Sequence, residues 1–206
     1  VRSNYGQIAG LVALVLRSGV QGDFAEMGVW QGTTFLPLAE TAAGAGRRCH
    51  AVDSFRGCLS PGPRDTDERG RVQYRAGALD VGGSHLFRQL VAPLGDSVLV
   101  WEGWIPPVLD QVDSGMARLA FAHIDLDQYE PTLYALRWCW DRLSPGGIVC
   151  CHDWIAGRRC LAAGAMNDWL AEMGCSIEAD GASNEASWGS AGVAPGNHAW
   201  IRKAAR

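Results

Sequence analysis

Acidic side chains follow short apolar runs at five places in this sequence: Glu26-Met-Gly-Val-Trp-Gln-Gly32, Asp53-Ser-Phe55, Glu102-Gly-Trp104, Asp125-Leu-Asp127 and His152-Asp-Trp154. Packing alone would not require an acid at every such end. Asp125 and Asp127 flank Leu126 at a strand end; residues two apart on a strand point the same way, a rule that loosens past the end. Two neighbouring carboxylates can hold a hard cation, and either can take a proton. The alternative is that one caps the next helix and the other is solvated. His152 beside Asp153 offers an imidazole that can be a metal ligand, a base or a structural residue. His123, two residues before Asp125, reads as structural and deeper in the sheet. Gly28 and Gly32 would let the backbone turn and approach a ligand closely. Asp53, one unit downstream, can accept both hydroxyls of a ribose. The same three residues also fit a turn-glycine pair and a capping aspartate. The glycine spacing is not G-x-G-x-x-G, which disfavours a pyrophosphate cradle and a nicotinamide dehydrogenase.

Groups so placed need a sheet to hold them. Asp23–Trp30, Cys49–Asp53, Ser97–Trp101, Leu119–Asp125 and Ile148–Cys151 read as strands, with Ala199–Arg202 as a final one. Thr34–Ala43, Ser84–Ala92, Pro131–Leu143 and Ala162–Met173 read as helices, and another starts over Pro107–Val112. Proline suits the first turn of Pro131–Leu143, and Leu133, Leu136, Trp140 and Leu143 follow as an apolar stripe. If Thr34 is an N-cap, Pro37 falls third in its helix, where no intrahelical bond is lost. The Ile8–Leu16 run belongs to an N-terminal helical segment, 1–20. It is too short to span a bilayer, and no small-residue cleavage site follows it. Residues 56–77, rich in Gly, Pro, Arg and Asp, read as a lid loop. The alternation predicts one α/β domain over 1–206, a doubly wound and mostly parallel sheet with helices on both faces. Ligands of such sheets bind beyond the carboxyl ends of the strands.

Composition narrows the class. The chain is 48% hydrophobic and 19% charged, which fits a globular domain and not a disordered one. With a net charge of −4 and no dense basic run, nucleic acid is not an expected partner. Seven cysteines, an odd number without a Cys-x-x-Cys pair, point to a reducing cytoplasm.

Taken in order, Asp23-Phe-Ala-Glu-Met-Gly-Val-Trp-Gln-Gly32, Asp53-Ser-Phe-Arg-Gly57, Glu102-Gly-Trp104, His123-Ile-Asp-Leu-Asp-Gln-Tyr-Glu-Pro-Thr132 and Ser144-Pro-Gly-Gly147 resemble the macrocin O-methyltransferase family. That family methylates sugar hydroxyls of macrolide and aminocoumarin antibiotics. The resemblance implies a Rossmann-like seven-stranded sheet, S-adenosyl-L-methionine as cofactor and a divalent metal, Mg2+ or Mn2+. It also implies a small hydroxylated acceptor such as a sugar-bearing natural product, and a homo-oligomer. The lid and a glycine-rich stretch at 178–198 would shape the acceptor pocket.

The implied cofactor set is Glu26, Gly28, Trp30, Gly32, Thr33, Asp53, Ser54, Phe55, Ala78 and Asp125. Within it, Glu26 and Gly28 lie beside the methionine part and Asp53 holds the ribose. Trp30 and Trp104 equally fit core or lid packing. The implied catalytic group is Asp125, Asp127 and His152, with Asp127 as base. The implied metal ligands are Asp125, His152 and Asp153. The family more often has two adjacent acids where this chain has His152–Asp153. That departure weakens the case for magnesium. It leaves His152 either as a ligand suited to a softer ion or as the base of a metal-independent enzyme. A cofactor-binding protein without catalysis is a third reading, and the acid–histidine cluster argues against it.

Overall fold

Strands covered on both faces need apolar side chains on both, and the central strands of this chain have them. In the computed structural model, which describes residues 4–67, 69–112, 115–116, 118–177 and 189–205, the strands are β1 (Asp23–Met27), β2 (Cys49–Asp53), β3 (Val98–Glu102), β4 (Leu119–Ile124), β5 (Leu143–Cys151), β6 (Gly189–Ala194) and β7 (His198–Lys203). They form one sheet in the order β3-β2-β1-β4-β5-β7-β6. β3 through β5 pair in parallel, and β7 runs antiparallel to both β5 and β6.

Helices α1 (Tyr5–Arg17), α2 (Phe35–Gly44) and α3 (His85–Val91) cover one face. Helices α4 (Pro107–Gln111), α5 (Tyr129–Arg142) and α6 (Leu161–Glu172) cover the other. The period of two divides the strand side chains between two cores. Phe24, Ala51 and Cys150 face the first, with Ile8 and Phe35. Ala25, Val52 and Cys151 face the second, with Leu136 and Trp169. The order reverses between β1 and β4, so the crevice at a switch point opens beyond their carboxyl ends.

Several boundaries differ from expectation. Strand β1 stops at Met27, and the next residues turn away. Helix α5 begins two residues before Pro131. Strand β5 begins at Leu143 and takes in Ser144 to Gly147, with a register shift opposite Leu119–Phe121. Thr34 precedes α2 but makes no side-chain cap, and its hydroxyl accepts the Asn4 N–H instead. β6, for which no strand was expected, falls in the glycine-rich stretch 178–198, of which 178–188 lie outside the described residues. Its Gly192 is needed, because a Cβ there would meet the Trp200 indole of β7 at 2.8 Å. No described helix is long and apolar enough to cross a membrane.

Candidate active site

The chain leaves β1 through Gly28 (φ 87) and Trp30 (φ 46). A Cβ on Gly28 would collide with the Asp125 carbonyl oxygen, so glycine is what lets the ends of β1 and β4 close together. Asp53 fixes the turn from across the sheet. Its Oδ2 accepts the Trp30 N–H at 2.8 Å and its Oδ1 the Phe55 N–H at 2.7 Å. Burial nevertheless raises its pKa. The Val29 backbone also bears on this carboxylate, which with three backbone partners still has a lone pair left for a ligand hydroxyl.

These ends surround a cavity of about 370 Å³. Of the residues expected at a cofactor, Glu26, Gly28, Trp30, Thr33, Asp53, Ser54 and Asp125 line it. Three stand behind the wall. Gly32 packs against Phe87 and Leu90, Phe55 is buried on Phe87, and the Ala78 carbonyl accepts the Cys58 N–H while Leu79 reaches the cavity. Trp104 lines the cavity too and ties to the 56–77 loop through its Nε1–H on the Gly57 carbonyl, 3.1 Å away.

Opposite lie Asp125, Asp127, His152 and Asp153. His152 Nδ1 is 3.1 Å from Asp125 Oδ1 and 3.3 Å from Asp153 Oδ1. Burial pushes the Asp125 carboxyl up, but His152, helped by His123 and His198, outweighs it and the net shift is downward. Burial likewise pulls the His152 pKa down, and the acids around it reverse the sign. Asp127 differs. Burial and the Asp125 charge push it up to about 7, against a hydrogen bond from Tyr74. Asp125, His152 and Asp153 bring donor atoms within 4.8 Å of one another, among the described residues the one group of three or more such donors.

The capping alternative for this acid pair does not hold. The free N–H of Tyr129 at the start of α5 is taken by Asp65 of the 56–77 loop, 2.7 Å away. The same loop grips α5 and α6 elsewhere. Leu59 and Gln128 exchange two hydrogen bonds of 2.8 and 3.0 Å. Arg64 stacks 4.1 Å from the Tyr129 ring and pairs with Asp168 at 2.9 Å. Cys58 also faces the cavity, its thiol pushed up to about 12 by burial and by Asp127, Asp53 and Asp65.

Sequence reasoning missed Asn4, Tyr74, Gln128 and His198. Asn4 Nδ2 lies 3.3 Å from His152 Nε2. The ring of His198 lies 4.6 Å from that of His152. Gln128 stands inside the 123–132 motif but is not singled out by it, and no local pattern marks the other three, which the 56–77 loop, the start of α1 and the antiparallel β7 bring in.

A seven-stranded sheet of this order, parallel but for one antiparallel edge, is a Rossmann-like fold. The fold is similar to that of the O-methyltransferase NovP, with a TM-score of 0.76 over 98% of this chain and 79% of that one, at 20% identity. The chain belongs to the macrocin-O-methyltransferase (TylF) family, whose model matches residues 2–178. It is 35% identical over 150 residues to the 8-demethyl-8-(2,3-dimethoxy-alpha-L-rhamnosyl)-tetracenomycin-C 4'-O-methyltransferase of Streptomyces olivaceus, covering 69% of this chain and 57% of that protein. It is 30% identical over 157 residues to the mycinamicin III 3''-O-methyltransferase of Micromonospora griseorubida, covering 69% and 59%. The chain thus spans less than two thirds of the length of either relative.

Proposed function

We propose that this chain is an S-adenosylmethionine-dependent O-methyltransferase acting on a hydroxyl of a sugar-bearing natural product, assisted by a divalent metal. The observation that carries this reading is one cavity lined both by Asp53 and Glu26 and by the cluster of Asp125, Asp127, His152 and Asp153. Both curated relatives are named for methylating such molecules. Asp53 would accept the ribose hydroxyls and Glu26 would face the methionyl end. The cofactor supplies an electrophilic methyl group on sulfur. With that methyl group in place, Asp127 would take the proton of the acceptor hydroxyl, so that its oxygen could accept the methyl carbon from sulfur.

The donor set of Asp125, His152 and Asp153, two carboxylates and one imidazole within 4.8 Å, fits a divalent cation. Such an ion would supply Lewis-acid help in lowering the hydroxyl pKa. A second reading rests on the 3.1 Å contact between His152 and Asp125, the arrangement of a histidine base oriented by an acid. The test is methyl transfer to a panel of deoxysugar and phenolic natural products, read by mass spectrometry before and after chelation. Turnover lost on chelation and restored by Mn2+ or Mg2+ supports the metal reading. Full turnover after exhaustive chelation, with no metal in the protein, defeats it, and no transfer to any acceptor defeats the whole assignment.

Two substitutions sharpen these roles. Asp53→Ala is expected to weaken cofactor binding by about 1.5–3 kcal/mol, the worth of charge-assisted hydrogen bonds. Calorimetry reads this directly, and an unchanged dissociation constant in a folded variant would remove Asp53 from the ribose. His152→Asp is expected to raise magnesium affinity, since a hard cation prefers carboxylate oxygen to imidazole. If His152 is instead the base, the same change leaves magnesium affinity alone and collapses turnover.

A further inference from the structure

Two fully buried histidines, His123 on β4 and His198 on β7, have no task in that reaction. They form a ladder. The Nδ1 atom of His198 lies 2.8 Å from the Pro195 carbonyl oxygen, which can only accept, so that nitrogen carries a hydrogen. Its Nε2 lies 3.2 Å from Nε2 of His123, and one hydrogen must sit between them. Nδ1 of His123 lies 2.8 Å from Oε1 of Glu26, with another hydrogen between. Whichever atoms hold those two hydrogens, the ladder turns Oε1 of Glu26 inward. The other oxygen, Oε2, is buried without any partner, on a residue that lines the cavity. A buried carboxylate oxygen of that kind is costly unless a ligand donor meets it.

The foot of the ladder lies in a tight turn. Pro195 opens the turn from β6 to β7, where Gly196 and Asn197 both have positive φ. The Asn197 carbonyl is held by the Trp154 N–H at 2.8 Å, beside the metal-ligand candidates. The β6–β7 hairpin thus fixes the depth of His198, and with it the depth of His123.

We infer that His123 and His198 are positioning residues that aim Oε2 of Glu26 at the α-ammonium group on the methionyl end of the cofactor. An ammonium offers three donors and no acceptor, which is what a lone carboxylate oxygen takes. The inference rests on the cofactor reading above. It extends the site to β7, beyond residues 2–178 that the family model matches.

The test compares two ligands by calorimetry. S-adenosylhomocysteine carries the amino-acid end, and methylthioadenosine shares the nucleoside but lacks that end. His198→Phe keeps a ring and removes the nitrogens. It is expected to weaken S-adenosylhomocysteine by about tenfold or more, the loss of a well-aimed charged hydrogen bond, and to leave methylthioadenosine unchanged. Equal losses for both ligands, or no loss for either, would overturn the inference. Where His198→Phe fails to fold, Glu26→Gln and His123→Asn must show the same selective loss, and an unselective loss in them overturns it equally. A wild-type protein that binds neither ligand fails the cofactor reading itself, which is a different result from unselective loss in a variant.

Discussion

Asp127→Asn is expected to keep the fold and the cofactor affinity while turnover falls by about a hundredfold to ten-thousandfold, the usual contribution of a general base. Asp127 stands just past β4 with φ 61, a left-handed conformation that asparagine tolerates as well as aspartate does. Its carbonyl accepts the Ala162 N–H at 3.0 Å, which holds the backbone whatever the side chain. The amide is nearly the same shape and can still meet Tyr74. What it cannot do is take a proton from the acceptor hydroxyl. The loss should therefore appear in kcat, with the dissociation constant for the cofactor unmoved. Should Asp125→Asn abolish turnover with metal affinity intact while Asp127→Asn is mild, the roles of the two acids are reversed.

Gly28→Ala is expected to damage the protein more broadly. The new Cβ would overlap the Asp125 carbonyl oxygen, and its φ of 87 is one that L side chains rarely adopt. Overpacking costs about 1–3 kcal/mol and left-handed strain about 1–2 kcal/mol more. Thermal midpoints move roughly 2–4 °C per kcal/mol in domains of this size, so a fall of about 10 °C is expected. Cofactor affinity should drop with it, because β1 and β4 must part at the crevice. Gly46→Ala is the control. Gly46 also has positive φ, at 69, but nothing lies within 4 Å of its added Cβ, so strain acts there without the clash. Equal falls in the two variants would show that the close approach of β1 and β4 contributes nothing.

The parallel core and the acids at its strand ends were legible because one physical rule governs both. A strand buried on two faces is an apolar run, and the residues just after it meet the crevice, so Asp53, Asp125 and His152 stand out without any structure. Strand β6 was not legible. Gly189-Ser-Ala-Gly-Val-Ala has no alternation to read, and it is a strand only because β7 pairs with it and Trp200 needs the space over Gly192. His198 was passed over for the same reason, since its neighbour His123 is 75 positions away. Tyr74 gave no signal because a loop residue has no period. Helix α5 began early because its first N–H is satisfied from outside by Asp65, a cap that no local pattern around Gln128 announces.

Cys58 gives the cavity one more property. A soft sulfur nucleophile stands on the wall of a site proposed to hold an activated methyl group, which invites self-alkylation. Only the ionised thiol reacts well. Burial, with Asp127, Asp53 and Asp65 adding to it, pushes its pKa up to about 12, so the thiol stays protonated near neutral pH. The carboxylates responsible include Asp53 and Asp127, the groups assigned here to the ribose and to the acceptor proton. The charges that would serve the transfer therefore add to burial in keeping the sulfur protonated, which spares the protein from becoming its own methyl acceptor.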